Sequence, residues 1–336
     1  MRLATTLLVA LAFAAWMGAP PAGAEAIKIG VVHNSAQGPI YLAVERGYFA
    51  AEGLEASIVG FDAAQPVAVA VVSGDIDFGN VAATGGFYSL AGQGALKIIG
   101  GNSREAPGFQ LFGLVVASAV YDAGFKTAKD LAGHSAAVTQ VGSGYHYALA
   151  LMAEKYGVDL ETVRVLPMQA IPNIASALTG GQVDSAILNA TASAPLRQRG
   201  SVKLVAWSGD ETPYQATVLF TSTRNADGRH DTVERYMRAY RKGAHDYYAA
   251  FVGPDGKRAD GATAHDVAAI ISKYSGLTPE QVMAGIAFVD PDARLDEKDI
   301  LRQIAWFKSQ GMVKGEVSRD QAIDKRYAVP LPEPRS

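Results

Sequence analysis

The 336-residue chain contains no cysteine. That excludes disulfides, thiolate metal sites and cysteine nucleophiles together. It also leaves no cysteine for a lipoprotein anchor. Charge of one sign is equally scarce: 30 Lys and Arg stand against 33 Asp and Glu, a net charge of −3. No run of basic residues interleaved with aromatics occurs, so nucleic acid is not an expected partner. Past the N-terminus no apolar stretch is long enough for a transmembrane helix. Catalytic signatures are missing as well: there is no P-loop, no His-Glu-x-x-His and no Gly-x-Ser-x-Gly. The six histidines are scattered, with no pair at metal-ligand spacing on a helix. Asp290, Asp292, Asp296 and Asp299 imitate a calcium loop, but Arg294 and Leu295 stand where it needs an oxygen ligand and a glycine. They read as a solvated helix start. Asp75 and Asp77 read as a turn residue and a strand-start residue, not as an acid–base pair. No catalytic residue, metal or cofactor is expected.

What is present begins with an export signal. Arg2 supplies a positive n-region, Leu7–Trp16 a short apolar core, and Ala22-Gly23-Ala24 a small-x-small cleavage site, so residues 1–24 are expected to be removed. The remaining length suits two domains, each large enough to bury a core.

The rest of the chain is organised around the stretch Asn34–Leu54, NSAQGPIYLAVERGYFAAEGL. It comes after the apolar strand Ile27–Val32 and reads as one amphipathic helix over Pro39–Ala51, with Pro39 at its first position. Strands at 55–61, 77–80, 96–100 and 110–117 alternate with helices, which argues for an α/β fold with mainly parallel sheets. The pattern then recurs: strands at 134–139, 163–167 and 184–188, with a helix at Tyr145–Tyr156. The segment Ala70–Asp77 (AVVSGDID) matches Ala177–Asp184 (ALTGGQVD), each a helix end, a capping Gly and an Asp entering a strand. Two βαβαβ units are therefore expected. Gln110–Ala117 and Gln215–Ser222 look like paired crossovers between them. The expected layout is a first lobe from residues 25–115 and 215–330, a second from 116–214, and a disordered Pro-rich tail at 331–336.

Small and polar residues collect at four strand ends: His33–Pro39, Asn80–Thr84, Gly142–Tyr145 and Asn189–Thr191. Small side chains let a ligand approach the backbone, and helix N-termini supply free N–H donors. Open α/β sheets bind ligands at such ends. Four corresponding loops in two similar units point to a shared cleft.

Gly38-Pro-Ile-Tyr-Leu-Ala43, Glu45-Arg-Gly-Tyr-Phe49, Glu52-Gly-Leu54 and Ser73-Gly-Asp-Ile-Asp77 together resemble periplasmic solute-binding proteins of ABC importers. The subgroup is the nitrate, sulfonate, taurine and thiamine-precursor binding family, and the resemblance covers about residues 27–250. It implies the two-lobed type II periplasmic binding fold, with each lobe a mainly parallel sheet flanked by helices and two crossover segments. It implies a non-enzymatic role: a periplasmic monomer that captures a small organic or anionic solute and hands it to a membrane permease with its ATPase. The ligand-contacting loops carry over to Ser35, Gln37, Gly38 and Pro39; to Asn80, Ala82, Ala83 and Thr84; to Gly142, Ser143, Gly144 and Tyr145; and to Asn189, Ala190 and Thr191. Tyr214, beside a crossover, is a further candidate cover. Members often carry an aromatic near the position of Asn189, which this chain lacks, so the ligand does not transfer. Sulfonate, carboxylate, oxyanion and heterocycle stay open. So do two other roles: a thiamine-pyrimidine synthase on the same scaffold, and a periplasmic sensor input.

Overall fold

The computed structural model describes residues 23–332. The expected signal falls, up to residue 22, outside the described residues, as does the tail from residue 333. Leu331 is tied down, its N–H donating to the Leu295 carbonyl at 2.9 Å.

The fold is α/β, with two five-stranded sheets of the same design. The first uses β1 (Glu25–Val32), β2 (Leu54–Phe61), β3 (Phe78–Val81), β4 (Leu96–Gly101) and β12 (Val218–Ser222), in the order β2-β1-β3-β12-β4. The second uses β6 (Phe112–Ala117), β7 (Ser135–Val138), β8 (Arg164–Pro167), β9 (Ser185–Asn189) and β10 (Val202–Trp207), in the order β8-β7-β9-β6-β10. In each, the first three strands are parallel and the fourth runs against them. Each fourth strand follows a chain crossing from the other sheet, so the two units exchange one strand. A small sheet, β11-β5-β13, lies at the crossings, built from Tyr214–Gln215, Ser103–Glu105 and Phe288–Val289.

The matched segments explain their shared aspartate. Asp77 accepts the Lys28 backbone N–H at 2.8 Å, and Asp184 accepts that of Ser135 at 2.8 Å. Each Asp enters the third strand of its unit and holds the opening strand beside it. Asp77 is also paired with Arg229, so it has a structural partner and no free site to serve.

The sheet pairing moves the first crossing. The expected boundary at residue 115 falls inside β6, which pairs with both β9 and β10. The chain changes sheet between Glu105 and Phe112. An apolar run such as Gln110–Ala117 does not tell which sheet it joins. The single helix expected over Pro39–Ala51 is two, Gly38–Glu45 and Tyr48–Ala51, because Gly47 takes a left-handed φ of 69° and breaks it. The longest helix not expected from the sequence is Ala190–Gln198, helical although Pro195 lies inside it.

The long helix His230–Phe251 fixes the first loop of the site. Val233, Tyr236, Met237, Tyr240, Ala244, Tyr247 and Phe251 recur at helical spacing and are all buried. Tyr236 stacks on Phe78 with ring centroids 3.9 Å apart. Tyr240 donates its hydroxyl to Asn102 Oδ1 at 2.6 Å. The Asn102 amide in turn donates to the Ala36 carbonyl at 3.0 Å and to Thr217 Oγ1 at 2.9 Å. Ala36 precedes Gln37, so this network positions two segments that reach the cleft. Tyr240→Phe should cost about 1–2 kcal/mol, since it orphans a buried acceptor. The check is urea unfolding, where the midpoint should fall with the slope unchanged.

Candidate functional site

The cavity between the sheets is built from strand ends. Val32 ends β1 and Asn34 and Gln37 follow it, Asp62–Ala64 follow β2, and Val81 ends β3 with Ala82 next to it. From the second sheet come Thr139, Ser143, Gly144 and Tyr145 after β7, and Ile171 after β8. Phe112 and Thr217 stand at or just before the starts of β6 and β12. Those strands run antiparallel to their neighbours, so their starts lie at the same edge as the others' ends. The space they surround is about 50 Å³ and partly open to solvent.

The two sides touch. The Gly85 N–H donates to the Gly142 carbonyl at 3.0 Å across the cleft. A Cβ added at Gly144 would lie 2.8 Å from the Ala82 Cβ. Glycine at position 144 is therefore a condition of closure. The helix Gly144–Lys155 starts at this contact, capped by Ser143 Oγ, which accepts from the His146 N–H at 3.3 Å. His146 Nδ1 accepts the Gly142 N–H at 3.1 Å, so it holds the loop that meets Gly85. Burial holds the His146 imidazole down to about 4, so it is neutral near neutral pH.

Electrostatically the lining is unusual for an anion site. Among the described residues that line the cavity, Asp62 is the only charged side chain, and it is exposed. The walls are the Phe112 and Tyr145 rings, edge to face at 4.9 Å. Burial pushes the Tyr145 hydroxyl up, so it stays protonated. Gln37 is fully buried, and neither its carboxamide oxygen nor its nitrogen finds a partner among the described residues. No group of three or more His, Asp or Glu side chains among the described residues is placed to hold a metal ion.

Of the residues expected from the sequence, Gln37, Ala82, Ser143, Gly144 and Tyr145 line the cavity. Thr84 and Gly142 line a wider space just outside it. The others lie elsewhere. Ser35 donates its hydroxyl to the Gly285 carbonyl. Gly38 packs under the Tyr247 ring, and Pro39 faces Gly243 on the long helix. Asn80 and Ala83 are buried without reaching the cavity wall. Asn189 donates to Thr191 Oγ1 at 2.9 Å, Ala190 donates its N–H to the Leu111 carbonyl, and Thr191 lies against Gly285. Tyr214 is buried at a crossing strand, edge-on to Tyr147 at 5.4 Å. Arg104, which follows the strand expected at 96–100 and could have paired with an anionic ligand or stood at the surface, sits over the Phe288 ring, away from the cavity. Sequence reasoning missed Asp62–Ala64 and Ile171. The signal was there: they follow the second strand of each unit, at the same sheet edge as the four loops expected to bind.

A family profile described as NMT1/THI5 like matches residues 34–250. The chain belongs to the NMT1/THI5-like family. No curated protein sequence is significantly similar to it. Solved structures share its fold. The alkanesulfonate-binding protein SsuA from Xanthomonas axonopodis pv. citri, bound to MOPS, matches with TM-score 0.70 and 20% identity over 89% of this chain and 98% of that one. The periplasmic aliphatic sulphonate binding protein SsuA from Escherichia coli gives 0.70 and 18%, covering 93% and 95%. The periplasmic nitrate-binding protein NrtA from Synechocystis PCC 6803 gives 0.71 and 11%, covering 90% and 86%. These likenesses establish the two-lobed binding-protein fold for this NMT1/THI5-like chain. Among its described residues no helix is long and apolar enough to cross a membrane.

Proposed function

We propose that the chain is the capture component of an ABC-type importer, which closes two lobes on a small solute and delivers it to a membrane permease with its ATPase. The observation that carries this reading is Gln37. A buried amide left unpaired costs about 1–3 kcal/mol, and a solute that pairs with it removes that cost. Family membership and the shared fold support the same reading. The lobes, about 25–115 with 215–330 and 116–214, would hinge at the crossing strands, with the first crossing refined to residues 105–112. An export signal over residues 1–24, a periplasmic location and a monomeric state belong to this proposal.

The lining favours a neutral solute over a sulfonate or nitrate. No cation faces the cavity among the described residues, whereas Gln37 offers a donor and an acceptor side by side. A lactam or amidine edge, as on a heterocycle, complements it, with the Phe112 and Tyr145 rings as the apolar wall beside it. The chain reads as a binding protein rather than an enzyme. The synthase alternative needs a lysine for pyridoxal phosphate, and no lysine lines the cavity among the described residues.

A thermal-shift series with cytosine, uracil, benzoate, taurine and nitrate tests this reading. A solute at a hundred times its Kd adds about 2.7 kcal/mol, a shift of several degrees. The neutral heterocycles should stabilise the protein most; if no small solute does so, the binding reading fails. Gln37→Leu should lower affinity about tenfold or more while leaving unfolding stability equal or higher, because the unpaired buried amide is gone. Calorimetry and urea unfolding on the same variant separate the two effects.

A further inference from the structure

The inner cavity is small, about 50 Å³, and it is not the only space in the cleft. Directly outside it lies an open chamber of about 510 Å³. The two share loops. Ala64 lines the inner space and Gln65 the outer; Ser143 the inner and Gly142 the outer; Thr139 the inner and Gln140 the outer. Gln169, near the inner-lining Ile171, completes the outer wall. The Gly85–Gly142 hydrogen bond ties together two of the loops that line the outer space.

The chamber's chemistry is specific. Among its described lining residues there is no charged side chain, while three glutamines converge on it. The Gln65 oxygen accepts from the Thr84 hydroxyl, which leaves the Gln65 amide nitrogen free to donate. Gln169 holds a left-handed backbone with φ of 68°, and its N–H donates to the Thr139 carbonyl at 2.8 Å. A non-glycine residue in that region is strained, and strain of this kind collects at ligand clamps. Val141, 54% exposed, adds an apolar edge. Carboxamides present donor and acceptor together and match neighbouring hydroxyls or amides. They offer no cation to a phosphate or carboxylate.

We propose that this chamber is a second subsite, in which Gln65, Gln140 and Gln169 hold a neutral, hydroxyl-rich tail of a ligand whose small polar head enters the inner cavity. The proposal rests on the binding reading above and extends it from a solute to a two-part solute. The head is selected by Gln37, and the tail by the three carboxamides.

Matched probes test it on the full chain: cytosine against cytidine and uracil against uridine, titrated by calorimetry at fixed salt. The nucleoside should bind at least tenfold tighter than its base. In the double variant Gln140→Ala/Gln169→Gly that ratio should fall below threefold. Glycine accepts the left-handed backbone, and the circular dichroism melt of the variant confirms that it folds. Equal affinity of base and nucleoside in the wild-type protein overturns the subsite while leaving the binding reading standing. So does a nucleoside advantage that the double variant keeps. Failure of all four probes to bind the folded protein overturns the subsite together with the neutral-solute reading. Gln65→Leu gives an independent check, since it should cut the nucleoside advantage without touching the left-handed residue.

Discussion

Gly144→Leu should lower solute affinity by about 5- to 150-fold without unfolding the protein. The cause is steric. Even a bare Cβ at residue 144 would lie 2.8 Å from the Ala82 Cβ on the opposite side of the cleft. Ala82 directly follows a strand of the first sheet and Gly144 opens a helix beside the second, so the clash exists only when the sides are together. Overpacking of this kind costs about 1–3 kcal/mol. Borne by the closed arrangement alone, it shifts an open–closed equilibrium by about that factor. Closure needs contacts that form only when both sides meet the ligand. Small-angle scattering with and without cytidine checks the mechanism. The wild-type radius of gyration should fall on binding, and that of the variant should not. Unchanged affinity would mean that Ala82 and Gly144 do not need to meet. Gly144→Ala should give a smaller loss in the same direction, which separates a graded wedge from a folding defect.

Much of the scaffold was legible because it depends on local pattern. Alternating strands and helices, a capping glycine and an aspartate before a strand are read within a dozen residues. Asp77 and Asp184 are the clearest case: their spacing from a helix end marked the repeat, and each proves to hold the neighbouring opening strand. What was not legible depends on partners distant in sequence. β6 comes after the first unit in sequence yet lies in the second sheet, because the units exchange a strand. Asn189–Thr191 has the composition of a loop, but the residues from Ala190 on form a helix that packs on Gly285 rather than opening to the cleft. Gln37 was legible as a polar residue at a strand end. Its full burial without a partner was not, since that depends on helices from the far end of the chain. Phe112 and Thr217 were invisible for a related reason. They stand where the fourth strand of each sheet begins, and no rule about strand ends selects the starts of antiparallel strands.

Two buried groups on one helix–helix seam should give the protein opposite pH responses that nearly cancel. His146 and Tyr147 on the helix Gly144–Lys155 face the helix Glu297–Ser309. The His146 ring lies edge-on to Trp306 at 5.2 Å, and Tyr147 donates its hydroxyl to Asp299 at 3.3 Å. Burial pushes Asp299 up to about 6 from its ordinary 3.8, opposed by hydrogen bonds from Gln303 and the Gln215 N–H. Burial also holds His146 down to about 4 from its ordinary 6.5. For Asp299 the folded state binds more protons than the unfolded state between 3.8 and about 6, so stability is lost as pH rises through that window. For His146 the unfolded state binds more protons between about 4 and 6.5, so stability is lost as pH falls through that window. At about 1.4 kcal/mol per pH unit, each amounts to about 3 kcal/mol. Salt-bridged carboxylates common to all variants cancel in the comparison. Asp299→Asn, whose one carboxamide oxygen can still accept from both the Gln215 N–H and the Gln303 amide, should gain stability relative to wild type as pH rises from 4 to 6. His146→Asn, whose amide oxygen can still accept from Gly142, should lose stability relative to wild type over the same range. Urea unfolding of the wild type, both single variants and the double variant from pH 4 to 7 reads these slopes. Parallel curves for all four proteins would refute the assignment. A double variant that tracks the wild type while the singles diverge in opposite directions would establish that the seam between the two helices is balanced by one acid and one base.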